Sequence, residues 1–267
     1  MQPHESISAA IEAARAAGRT GLVPFITAGY PEPDEFPATL RSVSEYGDVI
    51  EIGVPFSDPM ADGMTIQRSS FIAIKKGVTL KWIFDQLESL KGEIGKPIVL
   101  MSYLNPLLAF GFEQLAGRAL DTGVCGVIVP DLPYEECAEI RDALENRGIG
   151  LIQLVTPATP PSRLEMLANE SRGFLYAVTI TGTTGGTRGL PPDLADYLDA
   201  VSSVSALPVC AGFGIRAAED VISVGKHAAG AIIGSALVEV LENGEDPAEF
   251  LRHLQMGTDP VGSAPNS

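Results

Sequence analysis

The stretch DVIEIGVPFSDPMADG, residues 48–63, runs from a nearly continuous apolar segment into a loop of proline, glycine and aspartate. A strand wetted on one face alternates apolar with polar residues. A strand covered on both faces is apolar at almost every position, and such cover is the habit of parallel sheets sheathed by helices. The one break in the apolar segment is Glu51.

Seven further runs have the same character: LVPFITA at 22–28, PIVLMSY at 97–103, VCGVIVP at 124–130, LIQLV at 151–155, GFLYAVTI at 173–180, LPVCAGF at 207–213 and AGAIIGSA at 229–236. Between them lie stretches of helical spacing, such as Phe112, Leu115, Ala116, Ala119 and Leu120, or Ile140 and Leu144 ended by Gly148. Eight strand-helix units predict an α/β protein of the (β/α)8 TIM-barrel type, since a doubly wound sheet needs only five or six strands. An amphipathic segment at 6–17 precedes the first strand and is expected to close the barrel floor as an extra N-terminal helix. No linker composition divides the chain, so a single domain is expected over 1–256, followed by a frayed tail at 257–267.

Composition narrows the function classes. The 267 residues are 45% hydrophobic, which excludes a disordered chain. The 34 acids against 18 bases give a net charge of −16, a field that repels nucleic acid and anionic lipid. Cys125, Cys137 and Cys210 form no Cys-x-x-Cys pair, and His4, His227 and His253 are scattered. Neither a disulfide framework nor a metal site is expected, and a reducing cytoplasmic setting fits. The N-terminus lacks the basic start and apolar core of a signal peptide, and no segment approaches the ~18 apolar residues of a membrane span. No Walker loop or dinucleotide fingerprint occurs, and Ser57, Ser102 and Ser235 have no histidine partner in their sequence context for a hydrolase triad.

A barrel of this kind carries its chemistry at the C-terminal ends of the strands, which here lead into the irregular loops at 52–63 and 180–192. Strand alternation puts Ile50, Ile52 and Val54 on one face and Val49, Glu51 and Gly53 on the other, so the Glu51 carboxyl is expected inside the barrel. An unpaired buried carboxylate takes up a proton and becomes a general acid at neutral pH; a structural pair with an arginine or lysine is the alternative. Asp62 reads equally as a helix N-cap and as a charged catalytic partner of Glu51, and Asp58 as a turn residue. Gly214, Gly234 and Ser235, extended by Gly185, have the makings of a backbone phosphate cradle, although glycines there also serve tight turns. Phe25, Tyr103, Tyr176 and Phe213 sit near strand ends, where they line an apolar pocket or simply pack the core.

These residues resemble a known family, the tryptophan synthase α subunits, over nearly the whole chain. The resemblance rests on EIGVPFSDPMADG at 51–63, supported by VPFITAGYP at 23–31, MSYLNP at 101–106, VPDLP at 129–133, GFGI at 212–215 and IIGSA at 232–236. It implies a lyase that cleaves indole-3-glycerol phosphate to indole and glyceraldehyde 3-phosphate and passes indole to a β subunit in an α2β2 complex. Pyridoxal phosphate is then expected only in that partner, with no cofactor in this chain. By the same resemblance Glu51 matches the acid and base, Asp62 the carboxylate at the indole N–H, and Gly185, Gly214, Gly234 and Ser235 the phosphate-binding positions. Phe25, Tyr103, Tyr176, Thr184 and Phe213 match the substrate pocket, and Pro55 and Asp58 the loop that faces the partner. One departure stands in the sixth loop, where Ile180 replaces the family's usual arginine and Arg188 lies close by. It leaves a free-standing lyase as one alternative; a non-catalytic activator of the β subunit is another, against which the retention of both Glu51 and Asp62 counts.

Overall fold

A computed structural model describes residues 1–179, 193–212 and 214–256. The strands are β1 (Gly21–Thr27), β2 (Ile50–Gly53), β3 (Ile98–Met101), β4 (Val124–Ile128), β5 (Gly150–Ile152), β6 (Leu154–Val155), β7 (Leu175–Val178), β8 (Val209–Gly212) and β9 (Gly230–Ile233). Among them run helices α1 (Pro3–Ala16), α2 (Phe36–Tyr46), α3 (Met64–Lys75), α4 (Leu80–Ser89), α5 (Leu104–Phe110), α6 (Phe112–Thr122), α7 (Ala138–Glu145), α8 (Pro161–Glu170), α9 (Leu194–Val204), α10 (Ala218–Gly225), α11 (Ser235–Glu242) and α12 (Pro247–Met256).

All strand pairs are parallel, in the order β5-β4-β3-β2-β1-β9-β8-β7-β6. The two ends of that order are halves of one run, so the sheet returns on itself as the expected single-domain TIM barrel. The expected fifth strand, LIQLV, is divided at Gln153. There the backbone N–H donates to Ser171 Oγ at 2.9 Å, while the carbonyl accepts from the Tyr176 N–H at 3.0 Å and keeps the seam closed toward β7.

Two shells of apolar side chains follow from the period of two along each strand. Ile50 and Ile52 join Leu22, Ile26, Leu100 and Val127 in the shell between sheet and helices. Val23, Val49, Val99, Ile128, Ile152 and Phe174 fill the barrel from within. Helix α1 seals the floor, beginning earlier than expected, at Pro3; Ile7 and Ile11 enter the inner cluster and are wholly buried. Each such side chain contributes about 1.5–3 kcal/mol by leaving water. Arg19, just after α1, grips Asp48 with two hydrogen bonds of 2.6 and 2.7 Å, and Asp48 also accepts from the Leu22 N–H at 2.9 Å.

The helical spacing at 112–120 is found in α6 with one correction. Leu115, Ala116 and Ala119 are buried, but Leu120 falls past the edge of the apolar stripe and is exposed. The tail at 257–267 lies outside the described residues. No helix among the described residues is long and apolar enough to cross a membrane.

Candidate active site

Strand β2 holds Glu51 in register between Phe25 of β1 and Val99 of β3. Since Ile50 and Ile52 point outward to the helices, Glu51 points inward, as alternation requires. It is 1% exposed, and its Oε2 atom has no hydrogen-bond partner among the described residues. Burial pushes the carboxyl up to about 8, and the nearby Asp62 charge pushes in the same direction. Among the described residues no arginine or lysine enters that balance, and none of them forms the structural ion pair. Glu51 is a neutral acid at pH 7.

Asp62 is not a helix cap. Gly63 occupies the N-cap of α3, and no side chain caps that end. Instead the loop folds back on itself: the Asp62 N–H donates to the Pro59 carbonyl at 3.1 Å, and Gln67 Nε2 donates to the Asp62 carbonyl at 2.9 Å. This leaves the carboxylate facing the cavity, where Tyr103 Oη donates to it at 3.1 Å. Burial raises the carboxyl to about 6, and the bond from Tyr103 pulls it down. Asp62 is therefore mostly ionised at neutral pH while Glu51 is not. Burial raises both carboxyls, the Asp62 charge pushes Glu51 further up, and the bond from Tyr103 draws Asp62 back, so the two differ in charge within one cavity.

The opposite wall comes from the last strands. Gly214, with φ of 80°, turns the chain over the cavity after β8. Gly234 is the N-cap of α11 and Ser235 its first residue, so backbone N–H groups without helical acceptors lie at the cavity edge. Such an array suits an anion. Phe25 and Tyr176 supply apolar surface, and two glycines make room for them: a methyl group on Gly53 would overlap the Phe25 ring, and one on Gly212 would overlap the Tyr176 ring and hydroxyl.

One cavity thus gathers Glu51, Asp62, Phe25, Tyr176, Gly214, Gly234 and Ser235. Tyr103 stands behind Asp62, stacked on Phe56 with ring centroids 5.1 Å apart. Thr184, Gly185 and Phe213, together with Ile180 and Arg188, lie outside the described residues. In the 52–63 loop Pro55 is buried within the chain, whereas Asp58, bonded by Ser57 Oγ, and Met60 are exposed. Only the outer part of that loop is available to a partner.

Ile66, Met101, Ile215, Ile232 and Ala236, which complete the apolar wall, and Arg216, which also lines the cavity, were not among the site residues expected from the sequence. Arg216 follows directly on GFGI, so its place beyond Gly214 was the available signal. No group of three or more histidine, cysteine, aspartate or glutamate residues suited to a metal occurs among the described residues.

Residues 11–262 match the family described as tryptophan synthase alpha chain. A protein of that name from Nitratidesulfovibrio vulgaris is 43% identical over 243 residues, covering 91% of this chain and 95% of its own. One from Bacillus cereus is 44% identical over 234 residues, covering 87% and 91%. Among solved structures, a tryptophan synthase of Mycobacterium tuberculosis superposes with a TM-score of 0.86 at 32% identity, over 95% of this chain and 98% of that one. A tryptophan synthase subunit alpha of Legionella pneumophila gives 0.85 at 29% identity, over 97% and 99%.

Proposed function

The chain belongs to the tryptophan synthase alpha chain family, enzyme subunits of the lyase class in tryptophan biosynthesis, and from that premise we propose that its cavity cleaves indole-3-glycerol phosphate to indole and glyceraldehyde 3-phosphate. The observation that carries this reading is the unequal charge of Glu51 and Asp62 within one apolar pocket.

Carbon-carbon cleavage of this substrate is a reverse aldol reaction. The indole ring must first accept a proton at C3, which leaves positive charge at the ring nitrogen. Glu51, neutral and unbonded at Oε2, is the donor. Asp62, ionised and steadied by Tyr103, accepts the ring N–H and stabilises the cation. Glu51, now a carboxylate, removes the proton of the hydroxyl beside the breaking bond. The bonding electrons return to the ring, an aldehyde forms, and the acid is restored. The net proton count is zero. These steps are proton transfers and charge stabilisation, so we assign no cofactor to this chain and leave pyridoxal phosphate to a β subunit.

Phe25 and Tyr176 hold the indole, and the backbone N–H groups about Gly214, Gly234 and Ser235 hold the phosphate. The product indole is small, neutral and apolar and would leak across membranes if released. A β subunit seated on the exposed part of the 52–63 loop, around Asp58, would receive it directly. The biosynthetic role and three unpaired thiols favour the cytoplasm.

The test is to mix the purified protein with indole-3-glycerol phosphate, with and without a β subunit, and follow indole. Release that rises on adding the partner is expected, and Glu51→Gln and Asp62→Asn should each nearly abolish it. Absence of indole in both mixtures overturns the function; strong cleavage indifferent to the partner overturns the partnership.

A further inference from the structure

The protein carries a charge of −16 yet, on the function proposed above, must hold a phosphate group. Backbone N–H groups bring only partial charges to that task. Among the described residues that line the cavity there is one cation, Arg216. It lies two residues beyond Gly214, whose left-handed backbone carries the chain across the cavity edge. Its Nη2 group donates to Glu239 on α11.

The position of Glu239 locates the guanidinium. Ser235 and Glu239 are four residues apart on α11, so they share one face of the helix, one turn apart. A guanidinium resting on Glu239 therefore lies beside the first turn, whose N–H groups face the cavity. Glu239 is steadied from a second side by Thr65 Oγ1 of α3, at 3.3 Å. The Arg216 and Glu239 side chains are 55% and 36% exposed, and ion pairs so open to water are weak. A guanidinium offers five donors, and a phosphate can draw two of them at once.

We propose that Arg216 is a further phosphate-binding residue of this site, parked on Glu239 in the empty enzyme and shared with the substrate's phosphate when that group occupies the α11 N-terminus. Glu239 has two effects. It keeps the guanidinium near its post, and it competes with the phosphate for it. Removing Arg216 takes away the cation and also uncovers the Glu239 carboxylate next to the bound anion. Substrate affinity is affected on both counts, while the chemistry at Glu51 and Asp62 is untouched.

This assignment rests on the proposed function, and two measurements keep them apart. In the cleavage assay, Arg216→Ala should raise KM for indole-3-glycerol phosphate by about tenfold with kcat within a factor of two. Arg216→Lys should restore part of the loss. Glu239→Gln should lower KM, the opposite direction. A merely structural ion pair predicts that Arg216→Ala and Glu239→Gln lower Tm alike and leave KM alone, and that result overturns the proposal. The second measurement uses inorganic phosphate alone, titrated by calorimetry into wild type and Arg216→Ala, with indole as the uncharged control. Weaker phosphate binding with unchanged indole binding is expected; equal phosphate binding in both proteins overturns the proposal. A wild type that cleaves nothing overturns the function, and the phosphate titration still decides on Arg216.

Discussion

The Tyr103 hydroxyl donates to Asp62 Oδ2 at 3.1 Å and accepts from the Ala61 N–H at 2.8 Å. The backbone next to the carboxylate thus aims the very donor that keeps it charged. Burial alone favours the protonated form of Asp62, and Tyr103 opposes it. With Asp62 needed as an anion and Glu51 as an acid, kcat/KM should be highest between about 6 and about 8. Tyr103→Phe removes the opposing bond, so the acid limb should move to higher pH while the alkaline limb stays. The substrate's own phosphate titrates identically in both proteins, so the difference between their profiles belongs to Asp62. An acid limb that does not move would show that Tyr103 has no hold on the charge.

Glu51→Gln should cost activity at least about 10³-fold, the loss of a positioned acid and base. The same variant should gain stability. The folded-state pKa of Glu51 is raised from 4.5 to about 8, so the folded protein binds the extra proton in that interval. Wild-type stability from this group is unimpaired below 4.5 and falls as pH rises toward 8. The advantage of Glu51→Gln in thermal unfolding should therefore be small near pH 4.5 and reach a few kcal/mol at pH 8. Parallel Tm curves across that range would contradict the burial of an unpartnered acid.

Gly212→Ala puts a methyl group into the Tyr176 ring, and Gly53→Ala puts one into the Phe25 ring. Overpacking of this kind costs about 1–3 kcal/mol and shifts the rings into the cavity. Both variants should bind indole more weakly than wild type by calorimetry, whereas Gly234→Ala, where the added methyl group meets none of the described residues, should leave indole binding unchanged.

Asp48→Asn should lower stability by roughly 1.5–3 kcal/mol, because the buried Asp48 side chain gives up its charge-assisted bonds to the Arg19 guanidinium and the Leu22 N–H. The lesion is at the floor, so kcat should be retained. Urea unfolding and a cleavage assay on the same preparation check both halves.

Glu51 was legible from the sequence because the side-chain period of a strand is strict: one inward position in an apolar run admits no second orientation. Asp62 was legible only as a pair of alternatives. Cap and cavity-facing carboxylate use the same local sequence, and what separates them is Gly63 at the N-cap and Tyr103 from another loop. Tyr103 itself was read as an apolar wall, since no local pattern reveals that its hydroxyl meets a carboxylate from a different strand end. The division of LIQLV at Gln153 escaped for a similar reason: Ser171, which takes the Gln153 N–H, belongs to the next unit. Arg216 has no signal of its own in the local sequence, because the helix carrying its partner begins well downstream.

The floor helix bears on how the molecule comes to be folded. Its berth is built from chain far along the sequence: His4 Nδ1 bonds the Gly148 carbonyl at 2.9 Å, Ser8 Oγ bonds the Gly173 carbonyl, and Ile7 packs against Phe174 in the inner cluster. Contacts so distant are made only after the intervening loops have been closed, which is the slow part of reaching a parallel-stranded topology. The segment earliest in chain order therefore cannot take its seat until chain 144 to 165 residues further on has been placed.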